Sequence, residues 1–561
     1  VATFKTPKRL ELNQTSKHNK YPPNMQEGSF IWGRLEKQHR TVDKWIDWVW
    51  VIVLLLAAVL LYTINLGNLP LRDWDEGTVA QVAREIWRAP SGSMHWLYPT
   101  LGGEPYHNKP PLVHLLIAWA YSLGGVNEWT SRLPGALLSA LSVPLLYYIG
   151  REIFRQRWAA IYSALTYLTM LPVVRHGRLA MLDGVAVCFF MVMMLCLLRS
   201  RRNLRYCLGV GIAFGLICLT KGLLGFLLGA IALVFLLWDT PRLLTSRYMW
   251  TGILLGILPV AYWYGAQFVH YGNTFTETGM MDQSLSRVWK SVEGHSGPPW
   301  YYLLEIFKYT WPWLIFLPSS LRFCWENRNL NWAKLVLVWC AVYLIAISLM
   351  ETKLPWYVFP IYPGIALACG AKLAEIGNMP ILSSYPRYLL LSLVFISILG
   401  SGVCIYYSLG DTAQPDLQQI FAAVAITMAI AAILVGRGDR QFLKILFWGS
   451  YVSLLLLMKS NDWVWELNEA YPVKPVAQMI QQANPPAKKI YTSFRDHRPS
   501  LDFYSDRTIL PASSIQLKDY WQSDKQPYFL LDKTALNNLK LESIKVVKHD
   551  SGWSLVTKNT K

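Results

Sequence analysis

The hexapeptide Leu71-Arg72-Asp73-Trp74-Asp75-Glu76 puts three carboxylates about seven residues beyond the first membrane-length apolar run, roughly Trp45 to Ile64. Charge beside lipid is costly and tends to be kept for a job. A carboxylate held where a lipid-borne substrate meets water can act as a general base. Asp73 with Glu76 also has the spacing of a helix capping box, and that reading is compatible with a chemical role for Asp75. A second element is Tyr106-His107-Asn108-Lys109-Pro110-Pro111. Its prolines fix the backbone and suit the first turn of a helix, so Lys109 stands at the mouth of a short apolar segment. There it either snorkels to headgroups or holds a phosphate. Arg178, Asp183, Lys221 and Lys353 add charge at the ends of later apolar runs. Solvation explains each alone; chemistry requires that the fold bring them to one face.

The elements that must do this are membrane helices. The chain has 561 residues, of which 53% are hydrophobic and 16% charged, with 26 Trp and 30 Tyr. Its mean hydropathy is +0.25. Aromatic rings in such numbers suit a protein with two long lipid–water boundaries. Runs of about 20 apolar residues are needed to cross the hydrocarbon. Thirteen windows qualify, near 45–65, 132–150, 157–174, 180–198, 205–220, 222–238, 248–270, 299–318, 332–350, 354–374, 386–408, 416–436 and 441–458. The run Pro110 to Leu123 is too short and reads as a helix lying in or dipping into the interface.

Charge sets the orientation. With residues 1–44 as a cytoplasmic tail, every loop assigned to the inside is basic, among them Arg151, Arg155 and Arg157, then Arg199 to Arg205, then Arg437, Arg440 and Lys444. That is the positive-inside pattern. The excess of +18 therefore reads as orientation, and nucleic acid is excluded as a partner. The outer face then collects the polar residues: loop 66–131, the segment Arg175 to Asp183, Lys221, loop 271–298 with His295, and Glu351-Thr352-Lys353. Segment 75–87 has helical apolar spacing and reads as an amphipathic helix lying on the bilayer. Loop 271–298, ending in Gly294-His295-Ser296-Gly297-Pro298-Pro299, reads as a mobile cover for the acceptor. Residues 459–561 are polar, with helical spacing at Val476–Ala483 and strand-like runs at 489–491, 528–531 and 544–547, which predicts a small α/β domain outside the membrane. It carries no Gly-rich phosphate loop, which argues against a nucleotide-sugar donor. The eight cysteines have no metal-ligand spacing and imply no disulfide framework.

Asp75-Glu76 after the first span, followed by Tyr106-x-x-Lys109-Pro110-Pro111, Arg132-Leu133-Pro134, Arg178-x-x-x-x-Asp183, Leu219-Thr220-Lys221-Gly222 and Lys353-Leu354-Pro355-x-Tyr357, resembles the GT-C membrane glycosyltransferases. The nearest resemblance is to the ArnT-like and protein O-mannosyltransferase group, over roughly Leu71 to Pro363. The resemblance implies a multi-spanning α-helical GT-C fold of about 13 helices over 45–458, with an extracytoplasmic domain over 459–561. It implies transfer of one sugar from a polyprenyl-phosphate carrier to an acceptor on the outer face. Asp75 takes the place of the catalytic aspartate, Asp183 that of the second-loop aspartate and Lys109 that of the phosphate-binding lysine; Glu76 is a supporting carboxylate. Tyr106, Arg178, Lys221 and Lys353 join the donor-phosphate set, and His295 and Tyr357 the substrate loop. Thr78 and Val79 stand where ArnT proteins carry an Arg-Tyr pair. Asn108 stands where many relatives carry a glutamate suited to a divalent metal. No cofactor is thereby assigned; a divalent ion would have Asn108 and His107 to draw on.

A sugar phosphate carries a good leaving group, so the demands fall on a base for the acceptor hydroxyl and on cations for the leaving phosphate. Asp75 fits the first and the lysines the second. Direct displacement with inversion follows, since no nucleophile–His pair is visible; a retaining route would need a second carboxylate nearby, for which Asp183 is the candidate. Asp183 also suits a role in neutralising Arg178. The acceptor is a lipid, a glycan or a protein, and the site is expected on the periplasmic side of a bacterial inner membrane. A polyprenyl-linked glycan polymerase or ligase, and a lipid or sugar flippase, are the rival readings. Against the flippase stand charges gathered at one face and no internal repeat.

Overall fold

The computed structural model describes residues 24–291, 294–380, 384–410, 413–464 and 473–559. Contacts divide it into two units, Val1–Val53 and Leu54–Lys561. The expected N-terminal tail lies largely outside the described residues. Helix Asn24–Thr63 enters the second unit at Leu54.

Nine described helices are long and apolar enough to span a bilayer: Asp43–Thr63, Glu128–Ile153, Asp183–Ser200, Arg247–Tyr271, Asn331–Leu349, Pro355–Gly377, Arg387–Tyr406, Pro415–Gly436 and Phe442–Lys459. They fill nine of the thirteen expected windows. Windows 205–220 and 222–238 hold the shorter apolar helices Tyr206–Lys221 and Leu224–Asp239. The other two windows are broken. Helix Arg157–Leu168 stops before Thr169, and Pro172 starts a new turn over Leu171–Arg178. Helix Tyr301–Tyr309 gives way to a short 3-10 turn at Trp313–Ile315 next to Pro312, then to Leu317–Glu326. Proline removes a backbone donor and clashes with the preceding turn, so an apolar run containing it need not be one helix.

Small residues set the closest helix pair. Gly211 and Gly215 face Gly252 and Gly256, and a Cβ on Gly211 would meet the Gly252 carbonyl carbon at 2.0 Å. Such spacing lets membrane helices approach backbone to backbone. It brings Lys221, at the end of one helix, beside Trp263 and Tyr264 on the other.

The segment after the first span is tied down rather than floating. Glu76 is fully buried and accepts from Arg132 Nε at 2.8 Å and Nη2 at 2.7 Å, from the Arg72 N–H at 3.0 Å and from the Ala180 N–H at 2.7 Å. Arg132 in turn donates to the carbonyls of Leu66, Leu69 and Pro70 at 2.8–2.9 Å.

Helix Asp75–Arg88 forms where expected, but it does not lie on lipid. Its apolar face, Val79, Ala80 and Ala83, packs with Val113, Ile117 and Tyr121 of helix Leu112–Gly124 and with Leu182, Val185 and Phe503. Amphipathic spacing signals a buried stripe and does not say whether lipid or protein buries it. Helix Leu112–Gly124 has 13 residues, about 20 Å of rise, too short to cross the hydrocarbon.

Beyond the last membrane helix, a five-stranded sheet runs in the order Thr508–Pro511, Lys489–Thr492, Tyr528–Asp532, Trp553–Lys558, Ile544–Asp550. The first three strands are parallel and the last two join antiparallel. Helix Val473–Ala483 covers one face through Val476 and Ile480 against Ile490, Ile509 and Leu530. The expected α/β domain is therefore present in this region.

The buried Glu76–Arg132 pair predicts a stability effect. Arg132→Ala leaves a carboxylate buried without its cation and is expected to cost about 3–5 kcal/mol. Thermal unfolding of the detergent-solubilised protein measures it; an unchanged transition would show the pair to be dispensable.

Candidate active site

Asp75 opens its helix from a strained turn. The Asp75 N–H donates to the Asp73 carbonyl at 2.6 Å, around Trp74 at φ 55° and ψ −56°. A positive-φ turn of this kind at a bulky residue costs about 1–3 kcal/mol and persists only when its surroundings enforce it. Trp74 occupies the N-cap and no side chain caps the helix. The capping box expected of Asp73 and Glu76 is thus absent. Asp73 instead accepts from Arg498 Nη1 at 2.8 Å and from the Ser500 hydroxyl at 2.6 Å, while Glu76 serves Arg132.

The Asp75 side chain is 24% exposed and faces Arg72 at 3.6 Å. Burial pushes its pKa up to about 6; Arg72 and Lys221 pull it down, and Asp183 and Glu76 raise it further. Burial acts on Glu76 in the same sense, yet the Arg132 ion pair and the two backbone donors hold Glu76 below the usual carboxylate range. Two adjacent carboxylates are thereby driven apart. Glu76 has its oxygens occupied by donors, which makes it a framework group rather than a free carboxylate.

Lys109 follows a hairpin that is fixed to the helix of Asp75. Glu85, on the same helix as Asp75, accepts from Thr100 Oγ1 at 2.5 Å and from the Gly102 N–H at 2.7 Å. That clamps the small hairpin Thr100–Leu101/Glu104–Pro105, whose exit runs directly into Tyr106 and Lys109. Loss of solvation lowers the Lys109 pKa to about 7; Arg287 and Lys221 lower it too, while Asp183 and Asp75 raise it. Asp75, Lys109, Asp183, Lys221 and Arg287 therefore share one electrostatic neighbourhood. Among the described residues, Lys109 has no hydrogen-bond or ion-pair partner.

Lys221 forms an ion pair with Asp183 and sits 5.6 Å over the Tyr357 ring. The Tyr357 hydroxyl accepts from Arg287 Nη1 at 3.0 Å, and Arg287 Nη2 donates to Gln283 at 2.9 Å. Asp183 thus pairs with Lys221, where Arg178 had been expected. Arg287 has no place in the sequence motifs; only the fold brings it to Tyr357, 70 residues away.

Two expected phosphate ligands are committed to the framework. Arg178 is fully buried and donates to the carbonyls of Leu61 at 2.7 Å, Ile64 at 2.5 Å and Met458 at 3.3 Å. It closes the ends of two membrane helices, whose last carbonyls have no partner of their own. Its guanidinium also stacks 4.3 Å from the Trp463 ring. Lys353 donates to the carbonyls of Ile347 at 3.1 Å, Ser348 at 2.7 Å and Met350, at the end of helix Asn331–Leu349. A basic residue at the mouth of a span has the same sequence signature whether it meets a ligand or caps a helix.

Tyr106 is buried, with its ring 5.5 Å from His114. His107 is buried with its ring against Tyr271 and Phe275, and its Nδ1 lacks a partner. His107, Asn108 and Lys109 line one tight cleft with Lys221. Among the described residues no three His, Cys, Asp or Glu side chains gather to hold a metal ion. Asn108 and His107 alone do not make a donor set for a divalent ion.

The loop expected to be mobile is largely helical over Asn273–Trp289, including a π-helical stretch at Thr276–Leu285. Phe275 packs with Leu97 and Trp263, and a Cβ on Gly279 would stand 2.8 Å from the His107 carbonyl. The His295 carbonyl accepts from the Lys353 N–H at 2.9 Å, and Ser296 pairs with Thr352. Those contacts hold the end of the loop to the 351–353 turn.

The division of cations predicts that Arg178→Ala and Lys353→Ala lower the thermal transition while leaving binding of the expected polyprenyl-phosphate carrier within about twofold. Lys109→Ala is expected to do the reverse. A lipid-binding titration beside a thermal melt separates the two classes, and a large affinity loss in Lys353→Ala would contradict it.

A model of the family described as dolichyl-phosphate-mannose-protein mannosyltransferase matches residues 108–264. The undecaprenyl phosphate-alpha-4-amino-4-deoxy-L-arabinose arabinosyl transferase 1 of Pseudomonas fluorescens is 28% identical over 337 residues, 58% of this chain and 60% of that protein. The chain thus aligns with about three fifths of the length of the curated relatives it matches. An uncharacterized protein of Aquifex aeolicus is 24% identical over 473 residues, 82% of this chain and 87% of that one. Among solved structures, ArnT from Cupriavidus metallidurans bound to undecaprenyl phosphate superposes with a TM-score of 0.75 at 20% identity, over 91% of this chain and 98% of that one. In its ordered motifs, its family-model match and its fold, the chain is similar to the GT-C membrane glycosyltransferases of the ArnT-like and protein O-mannosyltransferase group.

Proposed function

We propose that this protein transfers a single sugar from a polyprenyl-phosphate donor to an acceptor on the outer face of a bacterial inner membrane. The carrying observation is that Asp75, a partly exposed carboxylate, and Lys109, a lysine with no described partner, lie under the influence of the same charged groups, Asp183 and Lys221. The arabinosyl transferase relatives, named for an undecaprenyl-phosphate donor, and the mannosyltransferase family, named for a dolichyl-phosphate one, support the donor class. Residues 1–44 are assigned to the cytoplasm, 45–458 to the membrane catalytic unit and 459–561 to the outer face, an assignment the basic inner loops support.

In this reading Asp75 removes the acceptor proton as the acceptor oxygen attacks the anomeric carbon. A new carbon–oxygen bond forms on one face while the sugar–phosphate bond breaks on the other. Polyprenyl phosphate departs, and the configuration inverts. Lys109 receives the charge that builds on the phosphate. Lys221 and Arg287, linked through Tyr357, stand as further cations whose charge is partly balanced by Asp183. Asp183 acts here as a counter-charge, and Glu76 as the residue that positions Asp75. Thr78 and Val79 leave the sugar open, and the acceptor is a hydroxyl or phosphate of a lipid, a glycan or a protein.

Two outcomes are expected. Asp75→Asn should reduce sugar transfer from radiolabelled polyprenyl-phosphate sugars at least about 100-fold, the scale of a lost general base; near-normal transfer would end the assignment. The pH dependence of kcat/KM should be narrow. Asp75 must be ionised, so the rate falls as pH drops through about 6. Lys109 must be protonated to meet the phosphate, so the rate also falls as pH rises through about 7. An acid limb that persists in Asp75→Asn would assign it to another group.

A further inference from the structure

We propose that the C-terminal domain is part of the catalytic apparatus, as the clamp that aims Asp75. The inference rests on Asp75 being the base. The two residues ahead of Asp75 are both gripped by one stretch of the outer domain, His497 to Ser500. Asp73 is buried and takes the Arg498 guanidinium at 2.8 Å, the Ser500 hydroxyl at 2.6 Å and the Ser500 N–H at 3.3 Å. The Trp74 indole donates to the His497 carbonyl at 2.8 Å, and the Arg498 guanidinium lies 5.2 Å over the Trp74 ring. One arginine therefore holds both residues at once.

What these contacts enforce is the positive-φ turn at Trp74, whose flanking residues are Asp73 and Asp75 themselves. A tryptophan does not adopt that backbone unaided. If the turn relaxed, the first residue of the helix would swing, and Asp75 is that residue. Room for the domain has been left in the sequence. Gly77 lies so near Ser500 that a Cβ would stand 2.6 Å from its backbone nitrogen. Further along, Arg84 donates to the carbonyls of Asp502 at 3.2 Å and Phe503 at 2.7 Å and pairs with Asp506, so the domain is held along the whole helix. Glu76 and Arg132 fix the inner side of the turn, and His497, Arg498 and Ser500 fix the outer side. Asp73, Arg498 and Ser500 are positioning residues; none is assigned contact with the sugar.

The experiment compares full-length proteins: wild type, Asp75→Asn, the double variant Arg498→Ala/Ser500→Ala, the single variant Arg498→Lys, and Lys474→Ala. Lys474 pairs with Glu128 at the same domain boundary, away from the turn, and serves as the docking control. Transfer from radiolabelled polyprenyl-phosphate sugars in membrane extract is followed across pH, with undecaprenyl phosphate binding and the thermal transition measured on the same samples. The double variant is expected to lose about 10- to 100-fold in kcat, the cost of a misplaced catalytic group, with KM for the donor and undecaprenyl phosphate affinity little changed. Its acid limb should move, because the surroundings of Asp75 have changed. Arg498→Lys should recover part of the rate, and Lys474→Ala should keep it. If the double variant retains wild-type kcat and an unshifted acid limb while Asp75→Asn is inactive, the clamp is overturned and the base stands. If Asp75→Asn is itself active, the base assignment falls and takes the clamp with it. A double variant whose rate loss is matched by equal losses in thermal transition and undecaprenyl phosphate affinity also overturns the clamp, since that is the signature of general unfolding.

Discussion

The fully buried ion pair between Glu76 and Arg132 is the contact on which the arrangement of the site depends. Neither partner can be left alone in a low-dielectric interior, so every donor and acceptor they carry must be met. Glu76 meets this need with the N–H groups of Arg72 and Ala180, and Arg132 with the carbonyls of Leu66, Leu69 and Pro70. Three separate pieces of chain are thereby drawn together: the stretch from Leu66 after the first span to Glu76 in the juxtamembrane helix, the start of helix Glu128–Ile153, and the turn leading into Asp183. Asp75 follows from one of these pieces and Asp183 from another. The pair leaves Glu76 with both oxygens occupied, while Asp75 keeps a partly exposed carboxylate.

A similar economy governs the basic residues. A membrane protein whose helices end near the surface exposes unpaired carbonyls at each end. Arg178 and Lys353 are spent on them. Lys221 is balanced by Asp183 and cushioned by Tyr357. Of these four, Lys109 is the one whose ammonium has no hydrogen-bond or ion-pair partner among the described residues. A charge that is neither paired nor capping, in a cleft, is the one available to a phosphate. This division explains why a row of lysines and arginines on one face does not translate into a row of ligands.

Much of the fold is legible in the chain. Apolar windows of membrane length locate the helices, because each must satisfy its backbone internally and present apolar side chains to lipid. Alternating polar and apolar positions after 459 announce the sheet, and the spacing of Val79, Val82, Ala83 and Ile86 announces the helix that follows Asp75. Two windows, at 157–174 and 299–318, hold broken rather than single helices, since hydropathy averages over the prolines within them. The helix expected on the bilayer is covered by protein, because a helix period reports a buried face and not its cover. The loop at 273–289 is helical, its Phe275 anchored by Leu97 and Trp263 from distant segments.

The sequence alone determined that this is a many-spanning membrane protein with an acidic motif after its first span, a Lys-Pro-Pro turn behind it and a small α/β domain at the end. These follow from local composition and period, which need no knowledge of what lies opposite. Only the tertiary structure decided the role of each charge. Asp73, Asp75 and Glu76 are neighbours of like chemistry, and nothing local distinguishes them. Arg498 and Ser500, more than 400 residues away, claim the first; Arg132 claims the third. Asp75 is what remains, and its pKa near 6 is chiefly the product of burial, with Arg72 pulling it down and Asp183, brought by the fold, pushing it up. Partners this remote in sequence set the fate of a charged group, because electrostatic energy depends on distance in space and on exclusion of water, and both are properties of the folded chain.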